Sequence, residues 1–190
     1  MDTTRASLID RIRDFGDVQA WGEFDSLYRP ILYRFARLQG LDAFEAEEVV
    51  QLCMTTVAQE IEHFRYDPCK GRFRGWLKTM VIHRIRRLMR DRRRAMLGEE
   101  AMAAICGQDP SPEDLFERLW LQEHLRRCLE TLRLGVDQAS FDAFCRHVFD
   151  GWTVQEVCQA TGLRSQQFHR LKWRLGHALA DMMREATGAG

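Results

Sequence analysis

Phe64-Arg-Tyr-Asp-Pro-Cys-Lys-Gly-Arg-Phe-Arg-Gly-Trp-Leu77 leads into a base-dense segment that runs to Arg94. At about 100° per residue, Leu77, Val81, Ile85 and Leu88 fall on one stripe. Thr79, His83, Arg86, Arg87, Arg90 and Arg94 lie roughly opposite, which predicts an amphipathic helix over residues 74–94, with Trp76 at the edge of its polar face. Asp67-Pro68 and Lys70-Gly71 break the chain into a loop ahead of it. Between Lys70 and Arg94 the one acid is Asp91, although the whole chain balances 28 Lys and Arg against 28 Asp and Glu. Charge segregated in this way attracts polyanions. Phe64, Tyr66, Phe73 and Trp76 are threaded through the same stretch, and aromatics among bases suit unstacked nucleobases on a phosphate backbone. A solvated basic helix over a few buried aromatics fits the pattern too.

Helical periodicity extends outward in both directions, with no alternating strand pattern. Residues 21–39 place Trp21, Phe24, Leu27, Tyr28, Ile31, Leu32 and Phe35 on one side, and Gly40 is a stop. Residues 45–64 repeat the pattern with Ala46, Val49, Val50, Cys53, Met54, Val57 and Ile61; Glu45, Glu47 and Glu48 suit the positive end of that helix. After Arg94 the composition turns acidic and rich in Gly and Pro, as in a linker. Leu115, Leu119, Leu125, Leu129 and Leu132 then mark a long helix, and residues 141–149 another. The expected fold is all-α: two small helical domains, 1–94 and 113–190, joined by an acidic linker, 95–112.

Residues 151–180 read as a helix-turn-helix. Thr153 and Glu156 have the spacing of a capping box, Thr161-Gly162-Leu163 supplies the turn, and Ser165 is placed to cap the second helix. Phe168, Leu171, Leu175 and Leu179 face inward in that helix. Gln166, Arg170, Trp173 and His177 face outward, flanked by His169 and Arg174. Donors of this kind near a helix N-terminus suit base edges and phosphates in a major groove. An ordinary helical hairpin with a solvated face is the competing reading.

Other classes fare badly. With 45% hydrophobic and 29% charged residues the chain is globular, and no apolar run approaches a membrane span. The start has no signal-peptide core, which predicts a cytoplasmic protein. Its six cysteines include no Cys-x-x-Cys pair, so neither zinc nor a disulfide framework is expected; Cys53, Cys128, Cys145 and Cys158 read as small buried residues. There is no phosphate loop, nucleophile elbow or paired-histidine metal motif. Neither enzymatic activity nor a cofactor is expected.

In order and spacing these segments resemble the sigma factors of bacterial RNA polymerase, specifically the small two-domain extracytoplasmic-function group. Trp21-Gly-Glu-Phe-Asp-Ser-Leu-Tyr-Arg-Pro30, with Tyr33, Arg37 and Gly40-Leu41, is similar to the family's opening helix. Ala46-Glu-Glu-Val-Val-Gln51 is similar to its polymerase-docking helix, and Asp67 to Leu77 to the part that melts and reads the −10 element. Gly162-Leu163, Phe168, Lys172, Arg174 and Leu179 fall where the family keeps its −35-reading helix. The resemblance implies a specificity subunit that takes core RNA polymerase to promoters and helps to melt them. Glu47, Glu48 and Gln51 would contact the polymerase. Phe64, Lys70, Arg72, Phe73, Arg74, Trp76, His83, Arg86, Arg87 and Arg90 would handle the −10 element and the melted strand. Gln166, His169, Arg170, Trp173 and Arg174 would read the −35 element. The family often has Asn where this chain has His83. An anti-sigma protein is a further candidate partner, and an autonomous helix-turn-helix regulator is the alternative reading.

Overall fold

Eight helices and no strand are found among the residues that the computed structural model describes, 6–64, 73–97 and 111–187. The chain is all-α, and its described residues divide into two compact units, 6–123 and 124–187. The expected loop with Lys70 and Arg72, and most of the expected linker, lie outside the described residues. None of the described helices is long and apolar enough to cross a membrane.

The first unit holds α1 (Ala6–Arg11), α2 (Val18–Leu38), α3 (Ala43–Glu60), α4 (Phe73–Leu97) and the first half of α5 (Pro112–Leu134). Asp17 starts α2, its carboxylate accepting from the Ala20 N–H at 2.8 Å. Arg11 donates to that carboxylate at 2.9 and 3.1 Å, and this bond above all holds the Asp17 carboxyl below the usual range. Pro30 lies within α2 and removes one helical hydrogen bond, at a cost of about 3 kcal/mol. Phe24, Leu27, Ile31, Leu32 and Phe35 are all buried on the same helix. Each is worth about 1.5–3 kcal/mol against exposure, so packing carries the helix through the proline.

Asp42 caps α3. Its carboxylate accepts from the Glu45 N–H, and Glu45 accepts from the Asp42 N–H, both at 2.9 Å. Glu45 is therefore the third residue of the helix and not its first, and α3 closes at Glu60 instead of reaching residue 64. α1 had no counterpart in the sequence reading; Leu8 and Ile9 of this single short helix, with Ile12 just beyond it, fill one edge of the core.

The first half of α5 completes the unit. Phe116 and Trp120, one turn apart, are buried with Leu119. The Phe116 ring meets Phe35 edge-on at 5.5 Å, and the Trp120 ring lies 5.2 Å from Tyr28.

The second unit packs α6 (Gln138–Val148), α7 (Val154–Thr161) and α8 (Ser165–Thr187) with the last part of α5 around Leu132, Phe144, Val157, Phe168, Leu171 and Leu175. Each helix start has its own chemistry. The Asp137 carboxylate accepts from the Ser140 N–H at 2.9 Å, which opens α6 three residues before the expected point. Thr153 and Glu156 form a reciprocal capping box on α7, as the spacing predicts. α7 stops at Gly162, whose φ of 71° is a left-handed conformation that side-chain-bearing residues resist. Ser165 is not the cap of α8. Arg164 holds that place: its carbonyl accepts from the Phe168 N–H and its N–H donates to Gln167 Oε1, each at 3.0 Å.

Candidate nucleic-acid interface

The stripe expected in α4 is the buried one: Leu77, Val81 and Ile85 lie in the core, and Leu88 is half-buried against it. His83, Arg86, Arg87 and Arg90 are exposed on the other side. Trp76 and His83, two turns apart, differ by only about 20° around the axis and share that side.

The bases of α4 have different employments. Arg90 makes no ion pair among the described residues, and Arg87 has only a long contact with Asp91, at 3.9 Å. Arg86 meets Glu113 at 3.3 Å, while Arg74 and Lys78 converge on Glu117 at 3.4 and 2.7 Å. Arg92 reaches Glu45 at 3.5 Å. Arg84 is turned inward, where its guanidinium donates to Thr56 Oγ1 beside Cys53. Burial pushes the Cys53 thiol up to about 12, so it stays protonated, in keeping with an inert core residue. Cys128 is buried as well, whereas Cys145 and Cys158 are half-buried against the second core.

At the start of α4 the aromatics form one cluster. Phe73, read from the sequence as a base-stacking residue, is 5% exposed, with its ring 5.6–5.8 Å from those of Phe24, Tyr28 and Phe64. It is part of the core and has no face left for a base. Phe64 and Trp76 are half-buried, with centroids 5.0 Å apart. Arg13 Nη2 donates to the Phe64 carbonyl at 2.8 Å and so ties the chain just after α3 to the residues that follow α1. Lys70 and Arg72 lie outside the described residues.

A second surface is built on α3. Glu48 and Gln51 are exposed on one side, as their spacing predicts. Glu47 is exposed too, but it is ion-paired with Arg29 of α2. Sequence reasoning passed over Phe44, which stands with Leu52 beside these residues, 80% and 43% exposed. The signal was available: both are large apolar residues off the buried stripe of α3.

The second unit presents Gln166, His169, Arg170, Trp173 and Arg174 of α8, all exposed. Trp173, 66% exposed, lies tilted against the His177 ring with centroids 4.2 Å apart and makes no seat in the core. From the inside, the His147 ring meets Phe168 edge-on at 5.4 Å and His147 Nδ1 lies 2.6 Å from the Trp152 carbonyl, which braces α8 against the end of α6.

Residues 25–95 match the family model described as Sigma-70 region 2. The matched segment runs from within α2 to residue 95 near the end of α4, and so contains the exposed faces of α3 and α4 and the rings of Tyr28, Phe64, Phe73 and Trp76. The match covers 71 of the 190 residues, and it is this segment that is similar to that domain. No curated protein matches the chain.

Proposed function

We propose that the protein is a sigma factor of the extracytoplasmic-function group, which directs core RNA polymerase to its promoters and helps to melt them. One observation carries this reading: the region 2 match coincides with a helix that buries Leu77, Val81 and Ile85 and exposes His83, Arg86, Arg87 and Arg90 beside the Phe64–Trp76 pair. Phosphates held by the arginines fix register without reading sequence. An unstacked base then needs an aromatic face, and Phe64 and Trp76 stand where strand separation would begin.

On this reading α3 docks on the polymerase through Glu48 and Gln51, with Glu47 set by Arg29. Residues 151–180 form a helix-turn-helix whose α8 enters the major groove of the −35 element, with Gln166, His169, Arg170, Trp173 and Arg174 toward the DNA. The role is that of a specificity subunit working in the cytoplasm, where an anti-sigma protein is a natural counterpart to such exposed faces. An autonomous helix-turn-helix regulator would use α8 alike but would leave the faces of α3 and α4 without a partner.

A titration with purified core RNA polymerase separates the two. The sigma reading expects a saturable complex, weakened at least tenfold in the double variant Gln51→Ala, Glu48→Lys, whose circular dichroism stays that of the wild type. Equal affinity of both proteins would remove α3 as the docking face, and absence of a complex would favour the autonomous regulator.

A further inference from the structure

The outward side of α8 carries one side chain whose chemistry differs from that of its neighbours. At about 100° per residue Gln166, Arg170, Trp173 and His177 lie within an arc of about 60°, opposite Phe168, Leu171 and Leu175 of the core. On one side of this arc Ser165 and His169 line a cleft against Cys158 of α7, and on the other Arg170 and Arg174 line a cleft against Ser140 of α6. Trp173 stands between the two and lines neither, 66% exposed. Its ring is nevertheless held. His177 follows one turn later, with its ring tilted by 34° against the indole and the centroids 4.2 Å apart. His177 Nδ1 lies 2.8 Å from the Trp173 carbonyl. A carbonyl only accepts, so Nδ1 carries the hydrogen, and this bond ties the imidazole to the helix backbone. A propped indole offers a large, rigid contact surface that loses little rotamer freedom when it is covered.

We infer that Trp173 reads a thymine methyl group in the upstream element, and that His177 holds the indole in place for that contact. The inference rests on the reading of α8 as the −35 helix. Gln166 and Arg170 carry an amide and a guanidinium, which recognise the hydrogen-bonding edges of bases. The indole is a different instrument, apolar except for its one N–H. Of the base groups that line a major groove, the C5 methyl of thymine is the apolar one. A cytosine at the same place would turn its N4 amino group toward the ring and lose hydrogen bonds to water without replacement. Attraction to the methyl and the penalty on its polar rival act in the same direction. The ring therefore selects T over C at one base pair, beside those that Gln166 and Arg170 meet.

The test uses the purified chain bound to core RNA polymerase. Random-sequence duplexes are selected for binding, and the preferred upstream element is read from those retained. Each thymine of that element is then replaced in turn by deoxyuridine, which pairs in the same way and lacks only the methyl. At one position the replacement should weaken binding by about three- to fivefold, as expected for one buried methyl group. Trp173→Phe should keep most of that dependence. Trp173→Gln should bind the thymine and deoxyuridine duplexes equally, with the circular dichroism of the wild type. His177→Ala should narrow the difference between the two duplexes, whereas a loss of fold would lower both alike. An element without thymine, the absence of any position sensitive to deoxyuridine, or the same sensitivity in Trp173→Gln would overturn the inference. An unchanged difference in His177→Ala would overturn the part given to His177. If the complex prefers no upstream sequence at all, the −35 reading fails, and the inference falls with it.

Discussion

His83 stands exposed two turns along α4 from Trp76, with the Phe64–Trp76 pair at the head of the helix. On the sigma reading it stands on the side of α4 that a base leaving the duplex would meet. His83→Ala should therefore slow open-complex formation more than closed-complex binding, and a pre-melted bubble should rescue it because the unpairing cost is already met. Permanganate footprints on duplex and bubble templates check this, and equal defects on both would make His83 structural. Trp76→Ala is a harsher change, because half of its ring is packed against Phe64 and Phe73. Arg170 gives a parallel test in the second unit. If it reads a base edge, Arg170→Ala should cost about 1–3 kcal/mol on the preferred sequence and relax the preference at one base pair, measured by competition among −35 variants. A uniform loss over all sequences would mark Arg170 as a phosphate contact.

At the level of elements, local chemistry was legible and long-range placement was not. The stripe of Leu77, Val81 and Ile85, the capping box of Thr153 with Glu156, and the stop at Gly162 are all carried by residues within two turns of one another, and the structure has them as the spacing predicts. Phe73 and Arg84 could not be placed in this way. One completes an aromatic cluster with Phe24 and Tyr28 of another helix, and the other finds Thr56 of α3, so their inward direction is decided by partners distant in sequence. α1 escaped because one short helix holds too few apolar residues to show a period. α5 read as a single long helix of the second domain, yet its first half belongs to the first unit, since Phe116 and Trp120 meet Phe35 and Tyr28. Phe116→Ala should accordingly destabilise the first unit by about 3–5 kcal/mol, read by denaturant unfolding; a change confined to the second unit would contradict that division.

The helix caps make a pH prediction of their own. Hydrogen bonds from the Ser140 and Thr153 backbones hold the Asp137 and Glu156 carboxyls below their usual values. A carboxyl whose folded pKa is depressed adds stability above its unfolded pKa, and that stability is lost as pH falls through the folded value. The contribution should be complete above about pH 5 and should be lost progressively as the pH falls below the ordinary carboxyl range, about pH 4. Thermal melts followed at 222 nm should therefore fall in midpoint over that window. Glu156→Gln, which cannot ionise, should flatten the fall; an identical profile in the variant would mean that the cap is not the titrating group.

Across the whole molecule, two all-α units each expose a helix with bases directed outward, α4 in the first and α8 in the second. The region 2 match lies wholly within the first unit, and the case for the second stands on its capping box, its turn and the exposed Arg170, Trp173 and Arg174. The sigma reading gives both surfaces work in one event, with α3 joining them to the polymerase. Reconstituted transcription tests that claim most directly: core RNA polymerase is supplied with fragmented genomic DNA from the protein's own source, with and without the purified chain, and transcript 5′ ends are mapped. The account predicts start sites that appear only with the protein and share two short upstream sequences, and their loss in Gln51→Ala with Glu48→Lys. Start sites unchanged by saturating protein would contradict it.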